Sequence, residues 1–292
     1  MASIVYSNGR YLPRHQAQTS VFDRAHLFAD GIYEVIWVAN RALVDWQDHH
    51  TRLLSSLAAV SLSIPWSPAV LRTLIFEVIR KNNLNNGFVY LQINRKHSYT
   101  RDHRITTTEK GGRPALMISA HHAPPPQCQP LKVITLPDER WRHCDIKSTA
   151  LIKAVLSKQQ AQQQGAHEAW FFDKDTQAIT EGASCNAWMV THNGTLCTHP
   201  ADNRILHGVA RQTLLKLCQR HKLPVQEQAF TLDALRNARE VFLTSTTLFV
   251  SPVSHIDDVA VGNGKVGETT QRLFDAYLHH CYPSSSSPDS HA

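Results

Sequence analysis

Three consecutive prolines, at 124–126 inside "HHAPPPQCQP" (121–130), constrain this chain more than any other stretch. Each lacks an N–H donor and has φ held at about −65°, so neither a helix nor an interior strand runs through them. The segment is read as a stiff, extended linker. A sequence of 292 residues is long for one core and short for three. The expected organisation is therefore a domain at 1–120, a linker at 121–130 and a second domain at 131–282. The final stretch, "PSSSSPDSHA" (283–292), is polar and low in complexity, and reads as a disordered tail.

Both halves mix strand and helix signals, so the fold class is α/β or α+β. "GIYEVIWVAN" (31–40) and "FVYLQIN" (88–94) are apolar and rich in β-branched and aromatic residues, the pattern of buried strands. Between them, Ser67 as N-cap, Pro68 at the first helical position and Gly87 beyond the end delimit a helix. After the linker, "LKVITL" (131–136) reads as a strand and residues 148–164 as a glutamine-rich helix. "EAWFFD", "NAWMVT" and "EVFLTS" (240–245) read as strands, and 208–221 and 268–281 as helices.

Hydrophobic residues make up 42% and charged residues 18%, which suits a compact soluble protein. The start, "MASIVYSNGR", lacks the basic and apolar segments of a signal peptide, and no apolar run reaches the ~18 residues of a membrane span. A cytoplasmic protein with no membrane partner is expected. The six cysteines include no C-x-x-C pair, and the 18 histidines show no metal-ligand spacing, so neither a disulfide nor a metal site is expected. The net charge of +6 favours anionic ligands such as phosphates and carboxylates. The basic residues are dispersed without an aromatic stripe, which argues against nucleic acid.

Two familiar patterns fail. "GNGKVG" (262–267) matches the dinucleotide fingerprint in letters but has no βαβ unit around it, and is read as a hairpin turn. "GASCN" (182–186) starts like a nucleophile elbow and ends in Asn186 where that elbow needs glycine. More informative is "WRHCDIKSTALIKAVL", where Lys147 stands between an aspartate and a helical run. A lone lysine is usually a solvated cation. It becomes a reactive amine when the rest of a pyridoxal phosphate site can be found: a carboxylate for the ring nitrogen, anion donors for the phosphate, cations for a substrate carboxylate. Glu181 in "ITEGASCN", the helix start at Gly208, Val209 and Ala210, the hydroxyls of "TSTT" (244–247) and Arg52 in "HHTRLL" are candidates for those parts.

"FADGIYEV", "HHTRL", "TRDH", "WRHCDIKS", "TEGASCN", "ILHGVAR" and "FLTSTT" occur in the order and nearly the spacing of one family. The chain resembles the fold-type IV pyridoxal phosphate enzymes, the class IV aminotransferases, and especially the bacterial D-amino acid transaminases, from about Ser7 to Gly267. The resemblance implies a smaller N-terminal α/β domain and a larger C-terminal pseudo-barrel. It implies that Lys147 binds pyridoxal 5'-phosphate as a Schiff base and acts as general acid and base, with Glu181 at the ring nitrogen and Leu206 against the ring. Arg52, Val209, Ala210, Ser245 and Thr246 are implied as phosphate ligands. Tyr33, Arg101 and His103 resemble that group's trap for a substrate α-carboxylate. There the arginine and histidine come from the neighbouring subunit, which implies a homodimer. The implied reaction is ping-pong transfer between a D-amino acid such as D-alanine and a 2-oxo acid, 2-oxoglutarate or pyruvate.

L-branched-chain aminotransferases, (R)-amine transaminases and aminodeoxychorismate lyases share the fold and stand as alternatives. A non-catalytic basic binding protein, for RNA, is the remote one, and it leaves the ordered motifs unexplained. Two positions depart from the pattern. The gap from Arg95 to Arg101-x-His103 is one residue longer than in familiar members. Ala210 replaces a frequent threonine, whose lost hydroxyl contact costs ~1 kcal/mol.

Overall fold

A computed structural model describes residues 3–95, 100–105 and 113–283. Apart from Pro283, the tail expected at 283–292 lies outside the described residues. The chain divides into two compact units, one of residues 1–125 and 146–150, the other of residues 126–145 and 151–292. The five residues Ile146–Ala150 thus belong with the first unit although they follow the proline segment in sequence.

The first unit holds β1 (Ile4–Ser7), β2 (Arg10–Pro13), α1 (Arg24–Phe28), β3 (Gly31–Ala39), β4 (Ala42–Leu43), α2 (Trp46–Ala59), α3 (Pro68–Lys81), β5 (Gly87–Asn94) and β6 (Ala115–His122). The strands form a six-stranded sheet in the order β2-β1-β6-β5-β3-β4, antiparallel throughout. Alternation explains which face is covered: along β5, Val89, Leu91 and Ile93 are buried while Phe88, Tyr90, Gln92 and Asn94 are half-buried. The buried row meets Leu53 and Leu57 of α2 and Leu71, Ile75, Val78 and Ile79 of α3 in one core. Each such aliphatic side chain removed from water contributes about 1.5–3 kcal/mol. Ser67 caps α3, its Oγ accepting from Val70 N at 3.3 Å, with Pro68 at the first position. The helix stops at Lys81, and Gly87 opens β5.

Ile146–Ala150 lies alongside β3. Tyr33 N donates to Lys147 O at 3.1 Å, Thr149 N donates to Gly31 O at 2.9 Å, and Ile32 and Ser148 form an antiparallel bridge. This close approach requires glycine at 31: a Cβ there would meet Asn94 Oδ1 at 2.7 Å and Thr149 Oγ1 at 3.3 Å.

The second unit holds β7 (Leu131–Pro137), α4 (Ile152–Gln163), β8 (Glu168–Phe172), β9 (Ile179–Gly182), β10 (Asn186–Val190), β11 (Leu196–Thr198), α5 (Val209–Arg220), β12 (Val225–Glu227), α6 (Leu232–Arg236), β13 (Glu240–Ser245), β14 (Phe249–Ile256), β15 (Val259–Ala260) and α7 (Glu268–Cys281). Its mixed nine-stranded sheet runs β12-β11-β10-β13-β14-β7-β8-β9, with β15 on β14. A tight turn joins β9 to β10, Gly182 N donating to Cys185 O at 2.8 Å, so the path curls back towards itself as a pseudo-barrel. Val133, Trp170, Ile179, Ala187, Leu243 and Val253 fill its core.

Three sequence expectations change. His121 and His122, expected as the start of the linker at 121–130, end β6 in register with Phe88 and Gly87. The helix expected from 148 begins at Ile152, because the backbone of 147–149 is committed to β3. The hairpin turn is Asp257–Asp258, both at positive φ (48° and 64°) between β14 and β15. "GNGKVG" follows that hairpin and leads into α7. Among the described residues, no helix is long and apolar enough to cross a membrane.

Candidate active site

In the first unit, backbone pairing with β3 fixes Lys147. Its N–H donates to the buried Ser56 Oγ of α2 at 3.1 Å and its carbonyl accepts from Tyr33. The half-buried side chain places Nζ over the Tyr33 ring, 4.3 Å from the centroid. A cation over an aromatic face gains roughly 0.5–2 kcal/mol, so the ring tolerates the ammonium form without an ion pair's rigidity. Tyr33 in turn stacks on Tyr90 at 5.6 Å. Burial, helped by Tyr33, pushes the Tyr90 hydroxyl up to about 12, and it donates to Gln92 Oε1 at 2.6 Å.

Arg52 lies on α2, buried against Glu34 of β3. Its Nε donates to Oε1 at 2.8 Å and its Nη2 to Oε2 at 2.7 Å, a bidentate pair that fixes the guanidinium plane. His49, one turn earlier on α2, reaches Glu34 Oε2 through Nδ1 at 2.8 Å. An ionised carboxylate only accepts, so Nδ1 carries the proton. Burial alone would raise the Glu34 carboxyl, but Arg52 and His49 outweigh it and hold it down at about 2. Arg101 and His103 are exposed, and both pack on Phe28 of α1.

In the second unit, Glu181 is the penultimate residue of β9 and is 4% exposed. Oε1 accepts from Arg140 Nη1 at 2.5 Å, and Oε2 accepts from Leu206 N and Asn186 Nδ2, each at 3.0 Å. Burial pushes this carboxyl up to about 7, against the lowering pull of Arg140 and the Leu206 amide. Arg140 is itself fixed by Asp138, bonded through Nε at 2.9 Å and Nη2 at 2.8 Å, and lies over the Phe171 ring at 4.6 Å.

Asn186, the residue that spoils the nucleophile elbow, ties the rest together. Its Nδ2 also donates to Leu206 O at 3.0 Å, and its Cα pairs in register with Thr244 of β13, one residue before Ser245 and Thr246. Gly208 N donates to Leu206 O at 2.8 Å, and α5 starts at the next residue. A Cβ at Gly208 would sit 2.0 Å from Asn186 Oδ1, so only glycine allows this approach. No side chain caps α5, and the amides of Val209 and Ala210 belong to a helix N-terminus suited to an anion.

Each unit thus assembles part of the expected set: Lys147 with Tyr33 in the first, and Glu181 with Leu206, Val209 and Ala210 in the second. The sequence reading missed Glu34 and His49, which hold Arg52, and Arg140 and Asn186, which hold Glu181. One signal was present: Glu34 is a lone acid in an otherwise apolar strand, and such a group needs partners.

Comparison with known proteins gives the family. The amino-transferase class IV family matches residues 31–256. The D-alanine aminotransferase of Listeria innocua is 37% identical over 277 residues, covering 94% of each chain. That of Staphylococcus haemolyticus is 33% identical over 285 residues, 97% of this chain and 99% of its own. The fold matches the solved branched-chain amino acid aminotransferase of Escherichia coli at a TM-score of 0.84, with 23% identity over 96% of this chain and 94% of that one. The architecture is that of the fold-type IV enzymes. The chain belongs to the class IV aminotransferases and is an enzyme that transfers amino groups between small molecules.

Proposed function

We propose that this enzyme uses pyridoxal 5'-phosphate to move the amino group of a D-amino acid, D-alanine among them, to 2-oxoglutarate or pyruvate. The observation that carries the reading is Arg101-x-His103, present in a chain that covers nearly the full length of curated D-alanine aminotransferases. The side chains suit the cofactor. Lys147 offers an amine, Glu181 a buried acid with raised proton affinity for a ring nitrogen, and Leu206 an apolar contact. The Val209 and Ala210 amides, the Ser245 and Thr246 hydroxyls and Arg52 suit a phosphate.

When bound, the cofactor supplies an electron sink for the bonds at the substrate's α-carbon. The protein's task is to orient the substrate and to handle its proton. Arg101, with His103 and Tyr33, grips the α-carboxylate, fixing which face of Cα meets Lys147. Lys147 Nζ removes the Cα proton and holds it as an ammonium over the Tyr33 ring. Glu181, kept in place by Arg140, Asn186 and Leu206, holds its charge where the ring nitrogen is to stay protonated. Donor and acceptor use one site in turn, which gives ping-pong kinetics.

The deciding assay is a panel of D-alanine, L-leucine and (R)-1-phenylethylamine with 2-oxoglutarate as acceptor. D-Alanine is expected to be the best donor by kcat/KM, by at least about tenfold, since a site built for a carboxylate in one orientation rejects its mirror image and its absence. L-Leucine or the amine outrunning D-alanine overturns the reading in favour of a branched-chain or amine transaminase.

We infer also that the enzyme is a homodimer. On α4, Ile152 (72% exposed), Val155 (58%) and Leu156 (54%) recur at helical spacing as one apolar stripe, and an identical surface on a second copy suits it. Val155→Asp is expected to shift the light-scattering mass from dimer to monomer at micromolar concentration; an unchanged mass removes α4 from the interface.

A further inference from the structure

We propose that Arg24 and Phe28 are positioning residues for the substrate carboxylate, holding the Arg101–His103 loop from below by its backbone and from the side by its side chains; this rests on the carboxylate-trap reading above. Arg24 is 7% exposed, unusual for an arginine in a five-residue helix, and its donors are directed at the loop. Nη1 donates to Asp102 O at 2.6 Å and Nη2 to His103 O at 3.2 Å. Carbonyls, not side chains, are gripped, so the clamp sets the course of the backbone whatever residues the loop carries.

The clamp is anchored. Arg24 Nε donates to Asp30 Oδ2 at 2.8 Å, and Arg95 Nε donates to the same carboxylate at 2.8 Å. Arg95 extends the chain of bonds to the end of α2, its Nη2 donating to Val60 O at 2.5 Å and its Nη1 to Ser61 O at 3.1 Å. Two guanidiniums share Asp30, which leaves the base of the loop positive and suited to an incoming carboxylate.

The side chains have one common platform. The Phe28 ring lies 5.1 Å from Arg101 Cζ, 5.0 Å from Arg24 Cζ and 4.7 Å from the His103 ring centroid. The loop's own acid does not compete for Arg101, because Asp102 is taken by Arg104 through Oδ1 and Oδ2. Phe28 therefore fixes the direction of the Arg101 and His103 side chains, and Arg24 fixes where they start.

Steady-state kinetics with D-alanine and 2-oxoglutarate test this on five variants of the holoenzyme: Phe28→Leu, Phe28→Tyr, Arg24→Gln, Arg101→Ala and the Phe28→Leu/Arg101→Ala double variant. Phe28→Leu keeps the Arg24–Asp30–Arg95 bonds and is expected to raise KM for D-alanine about tenfold, with kcat within about threefold. Phe28→Tyr keeps the ring and is expected to restore the wild-type KM. Arg24→Gln is expected to raise KM at least as much as Phe28→Leu. Adding Phe28→Leu to Arg101→Ala is expected to raise KM by less than Phe28→Leu does in the wild type, because the platform then has only His103 to aim. If Arg101→Ala raises KM while Phe28→Leu leaves it unaltered, the positioning role is refuted and the trap stands. Unaltered KM in Arg101→Ala refutes the trap itself. A Phe28→Leu enzyme that loses kcat and melting temperature together, with KM unmoved, assigns Phe28 to stability and overturns the proposal.

Discussion

Lys147→Ala is expected to lower D-alanine transamination by about 10⁴-fold or more, while leaving the fold in place. The size follows from the two tasks that one amine would perform, carrying the cofactor and moving the Cα proton; positioned proton transfer alone contributes about 10²–10⁴-fold. The fold survives because the contacts that place residue 147 are made by its backbone, to Ser56 Oγ and to the Tyr33 amide, and alanine keeps both. The Lys147 amine lies over the Tyr33 ring, whose loss of a cation costs about 0.5–1 kcal/mol. Activity and a thermal melt, measured together, separate the chemistry from the structure. Borohydride reduction in the presence of pyridoxal phosphate adds a chemical readout: peptide mass spectrometry is expected to find the adduct on residue 147 in the wild type and on no peptide of that segment in the variant. Substantial residual turnover in the purified variant would refute the assignment.

Much of this was legible because the short motifs are local. Ser67 and Pro68 announce a helix start through their own backbone chemistry, and the structure puts α3 there. The apolar, β-branched and aromatic run "FVYLQIN" announces a strand, and β5 is there, although only alternate residues along it are fully buried. The pairings that finish the site were not legible, because they join residues far apart. Arg140 meets Glu181 across 41 positions and Glu34 meets Arg52 across 18, and no local period encodes either. The misplaced helix start has the same origin. Residues 148–151 can be written on a helical wheel, but the peptide groups of Lys147 and Thr149 are taken by β3, a commitment made by a strand more than a hundred residues earlier. Asn186 shows the converse: a residue that merely breaks one motif proves to join Glu181, Leu206 and β13.

The largest stability effect is expected at Glu34. Glu34→Ala leaves the Arg52 guanidinium and His49 Nδ1 buried without their acceptor, and removing one partner of a buried pair typically costs about 3–5 kcal/mol. The acid dependence has a definite sign. The Glu34 carboxyl is held at about 2 rather than near its ordinary 4.5, since its bonds to Arg52 and His49 outweigh burial. A carboxyl lowered on folding adds stability above its unfolded pKa, and that stability is lost as the pH falls from about 4.5 towards 2. The gap corresponds to about 3 kcal/mol. Glu181 works in the opposite sense: burial raises it to about 7, so its contribution is complete below 4.5 and declines as the pH rises through 7. Urea unfolding of the cofactor-free protein at pH 3, 5 and 7.5 resolves the two limbs. The wild type is expected to lose stability from pH 5 to pH 3, and Glu34→Gln to show a flatter acid limb from a lower starting value. An acid limb of equal steepness in Glu34→Gln would mean that other carboxylates carry the acid response, and that the Arg52–Glu34–His49 cluster does not hold the charge distribution described.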